Sequence, residues 1–341
     1  MEEGTARKPP NGRCSAECVC PANSICDARP CTAPPASPTA TMTNEAQLLE
    51  RHFWPVLLFG YHVGACFFVA RRLPRLWQRL LGSVLLVYWL LGALLITVRL
   101  LSVLVDLIRQ PKHQLTMALV FMATAAGWHL LAFVCHLMNG RFSFRFNGTT
   151  INDVIQECDP EKANLRRHAV IGAVLSFAVA STGTVMNAVA QRHQLLPYAA
   201  RIDHLGWLAN TACTHIAQCT TLFTTCTVLW MCMLLAAVAD SIVRHLESAA
   251  VSEHVCARVS RAFAALVTGV STVNQFTGLY LLINLLTFVV AGCFLLYALV
   301  RVEDAADARQ TAICLVWMLN FAMTFVPIVV ASTYLQDRVI V

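Results

Sequence analysis

The sequence predicts an all-α fold: a polytopic membrane helix bundle of six spans, with a re-entrant or interfacial segment before the first. Two observations carry that reading. Of 341 residues, 57% are hydrophobic and 13% charged, well below the roughly 25% charge of soluble domains, and mean hydropathy is +0.61. The apolar runs are also long and unbroken, unlike the ~10-residue alternating segments of a transmembrane barrel. A helix closes its own backbone hydrogen bonds in a solvent that offers none, so runs of this kind are read as helices.

The elements follow in chain order. Residues 1–42 are rich in Pro, Cys, Ala and Thr without periodicity and read as a disordered tail. The tail has no uninterrupted apolar core of the kind a cleaved signal peptide needs. Composition changes at Met42, which marks it as an alternative start. Residues 43–79 read as a pre-membrane segment. Its apolar stretch, 53–70, is interrupted by Pro55, Gly60, His62 and Gly64, which suits a re-entrant or interfacial element as well as a crossing.

Apolar windows then recur at 80–107, 115–138, 169–190, 207–242, 264–300 and 312–333, forming a helix bundle over 80–333. Each supplies the ~20 residues that a ~30 Å hydrocarbon layer requires. The fourth and fifth windows are about 54 Å long at 1.5 Å per residue, so they must protrude. The turn between them holds Arg244, His245, Glu247, Glu253, His254, Arg258 and Arg261, which predicts a cytoplasmic helical hairpin around 236–268, a shape suited to assembly. Residues 334–341 read as a short cytoplasmic tail.

Charge distribution sets the orientation. The loops at 71–79, 139–167, 243–262 and 334–341 hold 13 Lys and Arg, and those at 108–114, 191–205 and 301–311 hold 6. The first set is therefore expected on the cytoplasmic side of a multi-pass plasma-membrane protein. If 53–70 does not cross, the N-terminus is cytoplasmic as well. The sequon Asn147-Gly148-Thr149 then faces the cytoplasm and is expected to stay bare. The net charge of +6 is spread thinly, with no basic run of the kind that binds nucleic acid. Of 15 cysteines, five lie in the first 31 residues, and most others, such as Cys135, Cys219, Cys226, Cys232, Cys293 and Cys314, fall inside apolar windows, where free Cys behaves as a small hydrophobe.

Catalytic signatures do not occur: there is no G-x-S-x-G elbow, phosphate-binding glycine loop or C-x-x-C pair. The sequence is read as a non-enzyme with no cofactor and no metal. Polar groups inside spans are costly and so are the first functional candidates. Arg99 and Asp106, seven residues apart near the outer end of the first span, read as a snorkelling or mutually paired couple. His129 and His136 read as buried, hydrogen-bonded histidines. The outer half of the fourth window is unusually polar, with Trp207, Asn210, Thr211, Thr214, His215, Gln218, Thr220 and Thr221. Such a segment either faces a water-filled cavity or bonds neighbouring helices. Asn187, Tyr297, Trp317 and Asn320 lie at comparable depth on other spans. The candidate ligand-binding set is therefore Asn187, His215, Gln218, Tyr297, Trp317 and Asn320.

A resemblance adds to this. The helix through Cys256-Ala-Arg-Val-Ser-Arg261 runs without Pro into Val270-Ser-Thr-Val-Asn274-Gln-Phe276-Thr-Gly278, then Leu281 to Phe288 and Phe294-Leu-Leu-Tyr297. This stretch resembles the arthropod gustatory receptor family, relatives of the insect odorant receptors, around its second cytoplasmic loop and fifth span. The window holding Trp317 and ending at Thr333 is similar to that family's sixth span. Phe53 to Gly64, followed by basic residues, resembles its pre-membrane re-entrant segment. The resemblance implies a ligand-gated cation channel with seven spans and an intracellular N-terminus, assembled as a homo- or hetero-tetramer with other receptor subunits and opened by a small-molecule tastant. One departure stands out. The family's last span carries Thr-Tyr-x5-Gln-Phe, whereas here Thr333-Tyr334-Leu335 is followed by Gln336-Asp337-Arg338. The window 312–333 is thus expected to be the sixth span, and the seventh to be missing.

Two other classes compete. A G-protein-coupled receptor follows if 53–70 is counted as a seventh span, and it predicts an external N-terminus. Against it, Met138-Asn-Gly-Arg141 is not an acidic-Arg-Tyr triplet, and the last span has no Asn-Pro-x-x-Tyr. A secondary transporter calls for matched breaks in two repeats, but Pro327 alone interrupts a span.

Overall fold

Hydropathy of this extent leaves helices as the solution, and the computed structural model describes them in residues 52–62, 64, 75–109, 117–145, 154, 164–192, 204–248, 253–301 and 308–340. The Cys-rich tail, residues 43–51 and the Asn147 sequon lie outside the described residues. We label the helices α1 (52–62), α2 (Arg75–Arg109), α3 (Met117–Arg145), α4 (Leu165–Arg192), α5 (His204–Ser248), α6 (Glu253–Arg301) and α7 (Ala308–Ile340). The last six each contain a stretch long and apolar enough to cross a membrane. The protein is thus a polytopic helical membrane bundle. Helix α7 runs on to Ile340, so most of the segment read from sequence as a tail is helical.

Successive long helices run antiparallel, as cross-contacts between their ends show. Trp207 at the start of α5 donates to the carbonyl of Ala188 near the end of α4, at 3.0 Å. Halfway along α2 and α3, Trp89 Nε1 donates to the His136 carbonyl at 3.2 Å and His136 Nε2 donates to the Trp89 carbonyl at 2.8 Å. Their rings stack at 5.2 Å. His136 is thus a buried interhelical histidine, hydrogen-bonded through Nε2, in keeping with its sequence context.

Helix α5 is the centre of the bundle and touches each of α2, α3, α4, α6 and α7. Its apolar stretch is 89% buried, against 11% for α2 and 28% for α6, whose outer faces are left for lipid. A helix with so many hydroxyls can occupy the centre because the hydroxyls turn back on their own backbone. Thr211, Thr214, Thr221, Thr224 and Thr225 each donate to the carbonyl four residues earlier, at 2.9–3.2 Å. That bond removes most of the desolvation cost of an exposed donor.

A second polar layer ties α6 to α7. Asn284 Nδ2 donates to the Thr324 carbonyl at 3.0 Å, and Thr324 Oγ1 lies 3.2 Å from Asn284 Oδ1. Tyr280, fully buried, places its hydroxyl 2.9 Å from Thr225 of α5. This layer sits one turn before Pro327, where α7 lacks a backbone donor, and partners from neighbouring helices are how membrane bundles tolerate such prolines.

Helices α5 and α6, with 45 and 49 residues, are about 68 and 74 Å long. Most of the excess of α6 precedes its span, Thr277–Tyr297. Near this end Arg338 of α7 pairs with Asp240 of α5 at 3.3 Å.

The segment left open between re-entrant and crossing is a short helix inserted beside α4 and α5. Its buried positions, Phe53, Val56, Leu57 and Phe59, follow helical spacing, while Trp54 and Leu58 stay exposed. Phe53 packs on Trp230 at 4.4 Å, Phe59 on Phe223 at 6.0 Å, and His62 on His215 at 5.6 Å. Helix α1 therefore climbs alongside α5 for about 16 Å, half a bilayer core. It stops at Gly64, whose φ of +64° is the left-handed value glycine accepts readily. The Tyr88 hydroxyl donates to the His62 carbonyl at 3.0 Å and so caps this end.

Candidate functional site

At the end of the bundle where α2, α4 and α6 finish and α3, α5 and α7 begin, five helices enclose a cavity of about 460 Å³, its open side included. The lining comes from Arg99 of α2; Thr124, Ala125, Trp128 and His129 of α3; Asn187 of α4; Thr214 and Gln218 of α5; and Trp317, Asn320 and Phe321 of α7. Its mixed lining, aromatic walls with a few convergent polar groups, is that of an ordinary small-molecule site.

Its walls are held by identifiable contacts. Trp317 Nε1 donates to Asn187 Oδ1 at 3.2 Å, joining α7 to α4. Because an indole N–H can only donate, this bond fixes which end of the Asn187 amide faces it. Thr184 donates to Gln218 Oε1 at 2.9 Å. The aromatic wall is braced by edge-on pairs, Phe121 with Trp317 at 5.5 Å and Trp128 with Phe321 at 4.8 Å. Gly183 lets the polar floor lie flat on α4: a Cβ there would stand 2.7 Å from Asn320 Nδ2 and 2.8 Å from Gln218 Nε2.

Four of the six residues proposed from sequence, Asn187, Gln218, Trp317 and Asn320, line this cavity. The other two do not. Tyr297 packs against the hydrophobic cluster that contains Trp317. His215 lies across α5, with Nδ1 3.1 Å from Thr184 Oγ1 and Nε2 3.3 Å from His62 Nε2. It reaches the cavity only through Thr184 and Gln218, and it fastens the tip of α1.

Sequence reasoning passed over Arg99 and His129. Arg99 is neither at the lipid face nor paired with Asp106. It shares a face with Ile96 and Val103, which are 0% and 3% exposed, and so enters the bundle. The signal was present in the i, i+3, i+7 spacing, but in a helix that is apolar on every side such a spacing marks no face. His129 Nδ1 donates to the Ala125 carbonyl at 2.7 Å, while its other nitrogen is buried beside the cavity. Six of the cysteines, Cys135, Cys213, Cys219, Cys226, Cys232 and Cys314, are buried free thiols, in keeping with their place in apolar windows, whereas Cys293 is exposed on the outside of α6. Among the described residues no His, Cys, Asp and Glu cluster of metal-binding geometry occurs.

No protein-family model matches this sequence, and no curated protein does. Among solved structures, the fold is similar to that of the insect olfactory receptor OR5 from Machilis hrabei, with a TM-score of 0.60 at 10% sequence identity over 88% of this chain and 80% of that one. At that identity the likeness is one of fold.

Proposed function

We propose that the chain is a chemosensory receptor subunit of gustatory type, part of a cation channel in the plasma membrane that opens when a small extracellular molecule enters the cavity. The observation that carries this reading is the cavity itself, set between five helices at one end of a bundle whose fold is similar to an insect olfactory receptor. The loop charges support an orientation with that end outside and, with 53–70 not crossing, the N-terminus inside. A ligand shifts a closed-to-open equilibrium by its differential affinity for the two states, and a cavity whose walls belong to α2, α3, α4, α5 and α7 is placed to sense their spacing. The resemblance to gustatory receptors supports a homo- or hetero-tetramer as the working form.

The test is electrophysiological. Cells expressing the chain, alone and together with a seven-span chemoreceptor subunit, are perfused with a panel of small tastants while membrane current is recorded. Ligand-evoked cation current that disappears in Trp317→Ala cells with equal surface expression is the expected result. Uptake of labelled compound without current, by a chain shown to be at the surface, would refute the channel reading in favour of transport.

A further inference from the structure

We infer that the cavity selects small organic carboxylates, with Arg99 as the group that receives the anionic head. This rests on the cavity being the ligand site. Three observations lead to it. First, Arg99 is a cation at the depth of a span, held inward between buried Ile96 and Val103. Its Nε is buried and has no hydrogen-bond partner. Among the described residues no carboxylate stands within ion-pair distance of it, and the cavity lining contains no Asp or Glu. An unpaired charge in such a place is costly, and an arriving anion relieves it.

Second, the remaining polar lining is rich in donors. Trp128 Nε1 is buried without a partner. Asn187 and Gln218 have their carbonyl ends occupied by Trp317 and Thr184, which leaves their NH2 ends as the ones not so engaged. The hydroxyls of Thr124 and Thr214 are turned back to the Val120 and Asn210 carbonyls. The acceptors are fewer: His129 Nε2, suited to a water or a ligand hydroxyl, and the carbonyl end of the Asn320 amide, whose NH2 adds two more donors. A guanidinium with neighbouring N–H donors matches a carboxylate, which only accepts.

Third, the other walls are aromatic. Trp128, Trp317 and Phe321 give an apolar surface for an aryl or short alkyl body. The same chemistry, an anionic oxygen on an apolar body, is also offered by a lipid headgroup. Enclosure by five helices favours the free acid.

The experiment uses the full chain in phosphatidylcholine nanodiscs, titrated calorimetrically at neutral pH with 3-phenylpropanoate and its neutral amide. The acid is expected to bind more tightly by about tenfold or more, the worth of a charge-assisted bond. Arg99→Gln should abolish that preference, and Arg99→Lys should keep part of it. Equal affinities in the wild-type chain, or a preference unchanged in Arg99→Gln, would overturn the inference while leaving the cavity as a site for neutral ligands. Binding of neither probe also counts against it, as does loss of acid binding when phosphatidylserine is added, which would assign the arginine to lipid. The wild-type contrast needs no variant, so it stands even where Arg99→Gln does not fold.

Discussion

Asn284→Leu and Thr227→Val each remove one buried polar group from the bundle, and only the first is expected to lower stability. Asn284 is fully buried and makes three bonds: to the Thr324 carbonyl at 3.0 Å, from Thr324 Oγ1 at 3.2 Å, and to the Tyr280 hydroxyl at 3.2 Å. Cross-helix bonds in membrane bundles average about 0.6 kcal/mol and reach about 1.7. Leucine fills nearly the same volume, so the expected loss is about 1–3 kcal/mol, with little added for a cavity. Thr227 is 1% exposed and its hydroxyl has no partner. Valine keeps the shape and deletes an unsatisfied group, so the change should be neutral or stabilising by up to about 1 kcal/mol. Thermal unfolding of the purified full chain in mild detergent reads both. For a chain of this length each kcal/mol corresponds to roughly 1–3 °C, so Asn284→Leu should unfold several degrees early and Thr227→Val no earlier than wild type. Equal falls for the two variants, or no fall for Asn284→Leu, would refute the reasoning from hydrogen-bond satisfaction.

Phe53→Ala removes the ring that packs on Trp230 and should cost about 3–5 kcal/mol locally. Limited proteolysis near residues 52–62 should detect it as undocking of α1, with the main unfolding transition little changed. Gly183→Ala brings a Cβ within 3 Å of the Asn320 and Gln218 amides. Both are ends of flexible side chains, so stability should fall by less than about 1 kcal/mol, while the affinity of any cavity ligand, measured by titration, should change several-fold. Arg338→Ala breaks the pair with Asp240, whose side chains are 49% and 37% exposed. Solvent screens such a pair, so a melting shift above that expected for about 1 kcal/mol would point to a larger role for it.

The spans were legible because each crossing stretch declares itself by length and hydropathy alone. The level of the site was legible too. Alternating antiparallel helices make residue count from one end a measure of depth, and that brought Asn187, Gln218, Trp317 and Asn320 to one height. Rotation about each helix axis was not legible. Tyr297 and His215 share the depth but turn to other neighbours. Arg99 reads from sequence as snorkelling or paired with Asp106 because its helix is apolar all round, and only packing against α3 and α5 reveals which side faces in. The polar half of α5 reads from sequence as either cavity wall or interhelical glue, and it divides between these roles: Thr214 and Gln218 face the cavity, while Trp207 bonds the Ala188 carbonyl of α4 at 3.0 Å and His215 meets Thr184 of α4 at 3.1 Å.

The course of α5 has a mechanical corollary. From Gln218 at the cavity to Asp240 at the ion pair is a single uninterrupted helix, a stiff rod of about 33 Å. Swinging it about its upper contact by roughly 2° carries Asp240 sideways by about 1 Å, a large displacement for a salt bridge. Under the proposed function, a molecule that nudges the cavity wall would therefore be coupled to the Asp240 ion pair through one helix, with no moving joint.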